Sequence, residues 1–323
     1  MPTNEPPACD RAHQSELRVD PLTEEWVTIV GARQNRPNLA AAPITRENCP
    51  FCVGGIEAPE PYEVKAFENR WPPLRPGEPL ETDVTGALTN GFGLTRLPAR
   101  GAAEVVLYSP DHDASLGSLG AAGVRRVIDL WAERTHALES RTEIKYVLVF
   151  ENRGAEVGAT IPHPHGQIYA FPFVPPVPMR EAEVASRRGC PICAAVREEI
   201  DAGDRLVAMV GNAVAYVPFA SGWPYGLLVA TTEHVASLPD LDGSARDDAA
   251  AVLADVLARY DRLFARPFPY MLWIHGGVHV HVHLAPPLRG PRTLRYVAAG
   301  ELGSGTLSNP VVPEVAAIAL RNA

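Results

Sequence analysis

The chain has 323 residues, 46% hydrophobic and 21% charged, with a formal net charge of -9. That describes an enzyme-sized globular protein with room for two domains, and the acidic balance argues against a nucleic acid polymer as partner, since such binding rests on Lys and Arg neutralising phosphates. No apolar run approaches the roughly 20 residues that span a bilayer and no basic-then-apolar opening marks a secretory signal, so a cytoplasmic location without a membrane partner is expected.

Along the chain, four of the five cysteines fall as two pairs, Cys49/Cys52 in "CPFC" and Cys190/Cys193 in "CPIC". In a reducing compartment such pairs bind metal or do redox chemistry more often than they form disulfides; Cys9, in a polar Pro-rich stretch, reads as a bystander. After "CPFC" come "FENRWPPL", an apolar β-branched strand over 104–108, "DHDASL", an amphipathic helix over 121–139, the strand "KYVLVFEN", and "HPHGQIYA". After "CPIC" the order returns: "VGNAVAYVPF", a strand over 225–231, "EHVASL", a helix over 245–264, the strand "PYMLWIHG" and "HVHVHLA". The shared H-x-A-S-L at His112 and His234 lies in register with the other landmarks, so an internal duplication is the economical reading. The expected fold is α+β: two halves, 1–178 and 179–323, each a mostly antiparallel sheet with one long helix. The Pro-rich run "FPFVPPVP" is the seam between them.

Zinc favours four ligands drawn from thiolate and imidazole, and a CxxC turn places two sulfurs on one ion. The first half supplies Cys49, Cys52, His112 and His163; the second supplies Cys190, Cys193, His234 and His279. One CxxC also fits thioredoxin-like redox chemistry, whereas two, each followed by histidines at matching places in a repeat, point to metal. The plain alternative is histidines that are buried and hydrogen-bonded. One or two zinc ions per chain are expected, held structurally, because four protein ligands leave no open position.

In "IPHPHGQIYA" the second histidine, His165, lies two residues beyond His163, so on an extended strand both project from one face. A neutral imidazole can attack phosphorus and form a phosphoramidate that the next acceptor displaces. Gln167 follows on the same face, and its amide can donate to a phosphate oxygen but has no proton to give a leaving group. His165 and Gln167 are therefore the catalytic candidates, and the pairing suits transfer between phosphorylated partners better than hydrolysis. The competing reading is a turn whose polar residues satisfy the backbone.

The stretch "FENRGAEVGATIPHPHGQIYA", with "DPLTEEWVTIVGARQNRP", "CPFC", "SPDHDASL" and "PPLRG", resembles the galactose-1-phosphate uridylyltransferase family of the histidine-triad superfamily. The resemblance implies two histidine-triad-like halves paired as a homodimer. It also implies a ping-pong exchange in which His165 carries a uridylyl group from UDP-glucose to galactose 1-phosphate. By the same resemblance, Arg33, Arg36 and Asn69 contact the nucleotide and phosphates, while Asn152, Thr160 and Gln167 surround the phosphates. Arg295 and Glu301 bind the hexose phosphate, often from the partner subunit; a solvated surface is their competing reading. Some members of the family hold a second metal, iron among the candidates, through a glutamate and three histidines, and Glu181, His275, His281 and His283 match those positions. Here "HGGVHVHVH" also shortens the loop that many members carry after the position of His275. The alternatives are an ADP-glucose phosphorylase or related nucleotidyl phosphorylase and, from another class, a non-catalytic zinc-stabilised nucleotide-binding module.

Overall fold

The computed structural model describes residues 15–31, 44–77 and 94–323, so Cys9, Arg33 and Arg36 lie outside the described residues. In chain order the strands and helices are β1 (Ser15–Val19), β2 (Trp26–Val30), β3 (Lys65–Glu68), β4 (Arg96–Pro98), β5 (Ala102–Leu107), α1 (Gly120–Glu139), β6 (Tyr146–Arg153), β7 (His165–Phe171), α2 (Pro176–Arg188) and α3 (Pro191–Ala202). They continue with β8 (Leu206–Val210), β9 (Ala213–Tyr216), β10 (Leu227–Thr231), α4 (Gly243–Leu263), β11 (Tyr270–His275), β12 (His281–Ala285), β13 (Leu288–Gly290), β14 (Thr293–Leu294), α5 (Ala299–Ser304) and α6 (Pro313–Arg321).

The duplication is written in the strand order. One nine-stranded sheet runs β3-β5-β7-β6-β11-β12-β10-β9-β8, so β6, β7 and β5 on one side are mirrored by β11, β12 and β10 on the other. The sheets expected of the two halves are joined edge to edge through antiparallel β6 and β11, with Arg153 opposite Tyr270 and Val149 opposite Ile274. Pairing at this seam leaves no open edge between the halves to attract a foreign strand.

Period-two burial decides what each face does. Along β7, Gly166, Ile168 and Ala170 are buried while His165, Gln167 and Tyr169 are half-buried. The buried side packs with β6 and β11 residues against α1 and α4, in a core that includes Val149, Ile168, Leu272, Trp131 and Leu257. The opposite side is thereby left for the histidines. Both long helices begin within two residues of their expected starts. The prolines of "VPPVP" do more than mark a seam: they open α2, because a proline in a first helical turn forfeits only an N–H that has no partner there. A small sheet, β2-β1-β4, stands apart from the repeat.

At the seam Glu151 is wholly buried, and Tyr270 donates to both its carboxyl oxygens at 3.3 Å. Burial pushes its pKa up to about 8, against the pull of Arg153, whose own guanidinium is engaged by Asp261. Tyr108 and Tyr270 are the other titratable groups facing it, and both are held neutral by burial. A raised carboxyl pKa favours folding fully below its unfolded value, near 4.5, and that contribution is lost as pH rises through about 8. Thermal unfolding between pH 5 and 9 should therefore show the wild type losing up to about 1.4 kcal/mol per pH unit relative to Glu151→Gln. Parallel curves for the two proteins would show that Glu151 is charged in the native state.

Candidate active site

Three clusters of metal-ligating side chains assemble among the described residues, and in each the candidate ligand atoms lie within 4.8 Å of one another. The first is Cys49, Cys52, His112 and His163. Cys52 Sγ is 3.5 Å from His112 Nδ1 and 3.7 Å from His163 Nδ1. Tetrahedral zinc with ordinary Zn–S and Zn–N bonds requires an edge of about 3.5 Å, so the donors are already spaced for the ion. His163 Nε2 contacts the Ser109 carbonyl and the Tyr62 hydroxyl, each at 2.9 Å, which orients the ring with Nδ1 toward the sulfurs. Tyr62 in turn donates to the Phe51 carbonyl at 2.8 Å. Burial lowers the His163 pKa to about 4, which keeps the imidazole in its ligating form, and with Cys49 alongside raises the Cys52 thiol to about 11, a cost that a bound cation removes.

The second cluster repeats this design. Cys193 Sγ lies 3.4 Å from both His234 Nδ1 and His279 Nδ1, and Cys190 Sγ lies 3.5 Å from His279 Nδ1. Thr231 takes the orienting role, contacting His279 Nε2 at 3.0 Å while its hydroxyl donates to the Glu233 carbonyl. The third cluster sits on the histidine face of β11 and β12. Glu181 Oε1 is 2.9 Å from His275 Nδ1, 3.9 Å from His281 Nε2 and 4.0 Å from His283 Nε2. His283 Nε2 is buried with no hydrogen-bond partner, and a metal bond is one way such an atom is satisfied. The Cys and His set expected from the repeat and the Glu181 set implied by resemblance are thus both assembled in this chain.

His165 opens β7. Its Nδ1 donates to the His163 carbonyl at 2.8 Å, which in the neutral ring leaves the lone pair on Nε2. The Phe51 ring lies 5.1 Å away. His165 borders two clefts, of about 490 and about 180 Å3. The larger contains Asn152, Thr160 and the segment 267–269 of the second half. The smaller has Phe51, Phe67, Trp71 and Val105 as apolar walls, with Asn69 and Gln167 as its amides, the mix of flat apolar surface and few polar groups that suits a heteroaromatic base. Asn69 Nδ2 donates to Gln167 Oε1 at 3.4 Å, so the Gln167 amide turns its donor side elsewhere.

The structure thus places Asn69 and Gln167 with His165 at the smaller cleft, Asn152 and Thr160 with His165 at the larger, and the members of each Cys and His set within one cluster. Arg295 and Glu301 line neither cleft. They form an ion pair with each other, and Arg295 lies over the Trp223 ring at 4.5 Å. Missing from the sequence reading were the aromatic walls and the 267–269 segment. The phenylalanines of "CPFC" and "AFENRW" flank named site residues and carried that signal; nothing local marks "RPFP" as part of a cleft built mostly by the other half.

Residues 6–175 match the family described as galactose-1-phosphate uridyl transferase, N-terminal domain, and residues 186–323 match its C-terminal domain. A galactose-1-phosphate uridylyltransferase of Thermotoga maritima is 37% identical over 325 residues, covering 95% of this chain and 98% of that protein. A solved uridylyltransferase superposes with a TM-score of 0.79 at 28% identity, over 95% of this chain and 97% of that one. An ADP-glucose phosphorylase of Arabidopsis thaliana shares the fold, with a TM-score of 0.69 at 24% identity over 96% of this chain and 99% of that one.

One residue beside His165 has a sharp steric role. A Cβ on Gly166 would meet the Tyr108 hydroxyl at 2.0 Å and the Phe150 carbonyl at 2.9 Å. Gly166→Ala should cost about 1–3 kcal/mol in thermal unfolding, the usual range for overpacking. Adding Tyr108→Phe should recover part of that loss, since the ring carbon behind the hydroxyl remains at 2.9 Å. Equal melting temperatures for wild type and Gly166→Ala would remove this account of the glycine.

Proposed function

This chain belongs to the galactose-1-phosphate uridylyltransferase family and is a nucleotidyltransferase, and from that premise we propose that it exchanges UMP between UDP-glucose and galactose 1-phosphate through a uridylyl-histidine at His165. The observation that carries this reading is the place of His165 between a smaller, aromatic-walled cleft and a larger one bordered by Asn152, Arg153 and Thr160. The smaller cleft receives the uracil and ribose, with Asn69 at its edge; the larger receives the sugar phosphate, near Asn152 and Thr160.

His165 Nε2 attacks the α-phosphorus, forming an N–P bond as the P–O bond to the β-phosphate breaks. Glucose 1-phosphate leaves as an anion that needs no proton, so an amide at Gln167 serves where an acid would be required for a poorer leaving group. Gln167 N–H groups stabilise charge on the transferring oxygens. A phosphate oxygen of galactose 1-phosphate then attacks the same phosphorus, breaks the N–P bond and restores the imidazole. Arg33, Arg36, Arg295 and Glu301 keep the substrate-binding roles implied by resemblance, the last two within a homodimer.

Both Cys2His2 clusters fit zinc by donor chemistry and spacing, while the Glu181 cluster, with three imidazoles and a carboxylate, fits a divalent ion such as iron. Zinc in the first cluster supplies no reacting group; it ties together the segments from which His165 projects. The halves 1–178 and 179–323 are the working domains. No helix among the described residues is long and apolar enough to cross a membrane, and CxxC pairs clustered with histidines for metal suit a reducing compartment such as the cytoplasm.

Incubation with UDP-glucose or ADP-glucose, followed by intact mass spectrometry, tests the reaction and the base together. A UMP adduct that maps to His165, absent from His165→Ala, is the expected result. An AMP adduct alone would favour a phosphorylase, and no adduct from either would favour the binding module. Metal analysis should find two zinc ions per chain, with Cys49→Ser and Cys190→Ser each removing one. Any further ion should survive both changes and leave with His275→Ala.

A further inference from the structure

The non-catalytic half forms part of the catalytic cleft, and it also grips the loop that rims it. Between β6 and β7 the chain makes a short 3-10 turn at Ala155–Val157, after which come Ala159 and Thr160 on the cleft wall. The turn is closed by its own backbone, with Ala159 N donating to the Gly154 carbonyl at 3.1 Å. Glu156 projects from it to Arg266 of the second half, Nη2 to Oε1 at 2.6 Å. Arg266 is itself placed by the second half: its backbone N donates to the Asp261 carbonyl at 3.2 Å and its Nη1 to the Pro291 carbonyl at 3.4 Å.

Two further ties underlie the pair. Asp261 accepts Arg153 Nη1 and Nη2 at 2.8 and 3.1 Å, and the Phe268 backbone N–H at 2.8 Å, so one carboxylate holds the end of β6 to the 267–269 segment. Gly154, at φ +99°, lies so close to that segment that a Cβ would meet Pro269 Cβ at 2.8 Å. The loop that follows β6 is therefore fitted against the second half at its root and tied to it at its tip.

We propose that the Glu156–Arg266 pair is a latch through which the second half sets the position of the loop carrying Thr160, making both residues positioning residues for phosphoryl transfer at His165. The proposal rests on the function given above. An ion pair this exposed adds little to global stability. Its effect is geometric: a shift of the loop by an ångström would spoil the alignment of the transferring phosphate while leaving the base-binding cleft, on the other side of His165, as it was.

The test uses the full-length protein and three measurements: single-turnover adduct formation from UDP-glucose, affinity for uridine, and thermal unfolding. Arg266→Ala and Glu156→Gln should slow adduct formation roughly ten- to hundredfold, with uridine affinity and melting temperature close to wild type. Arg266→Lys, which keeps a cation facing Glu156, should recover part of the rate. Adduct formation at the wild-type rate in Arg266→Ala would overturn the latch, as would a parallel loss of uridine affinity or an Arg266→Lys variant no faster than Arg266→Ala. A wild-type protein that forms no adduct would instead overturn the proposed function, and this inference with it.

Discussion

A single hydrogen bond, from His165 Nδ1 to the His163 carbonyl, links the first Cys2His2 cluster to the imidazole proposed to react. It fixes the tautomer, and it ties the ring to the backbone of a residue whose side chain belongs to the first Cys2His2 cluster. Everything that steadies His163 steadies His165 at one remove: Tyr62, the Ser109 carbonyl, and the two cysteines of a loop some 110 residues earlier in the chain. The second half contains the same bond, His281 Nδ1 to the His279 carbonyl at 2.7 Å, above the second Cys2His2 cluster. The duplicated device serves different ends. In the first half the oriented imidazole faces two clefts; in the second it faces Glu181, His275 and His283.

That divergence follows from what surrounds each imidazole. The first half has the loop after β6, with Gly154 and Gly158 both at positive φ, to bring backbone and Thr160 beside His165. The corresponding passage after β11 is the short Gly276–Gly277–Val278 connection, which leads almost at once to His279. Without room for a phosphate-binding loop, and with a carboxylate and two more imidazoles within reach, His281 has the surroundings of a ligand. Its pKa is lowered, chiefly by burial, so the ring stays neutral and able to coordinate.

Much of this was legible in the sequence because it is local or repeated. The CxxC pairs, H-x-A-S-L, and the histidine clusters recur in register, so the four members of each Cys2His2 cluster are legible in the sequence alone. The long helices declared themselves through apolar spacing. What stayed hidden depends on non-local pairing. Nothing in "YVLVFENR" or "YMLWIH" says that these strands adjoin and fuse two sheets into one, or that the seam so formed buries Glu151. Arg295 and Glu301 pair with each other and line neither cleft of their own chain, so the role that resemblance implies for them, across a dimer, has no local signal either.

The unbroken sheet has a further consequence for how substrates come and go. Domains that meet at a flexible linker can close over a ligand and reopen to discharge it, but strands hydrogen-bonded across β6 and β11 cannot hinge apart without breaking their ladder. On the proposed function, traffic would therefore pass along the exposed face, through the two clefts that border His165. The double displacement proposed above would be well matched to such rigidity: departing and arriving sugar phosphates would share one berth in succession while the nucleoside keeps its own throughout.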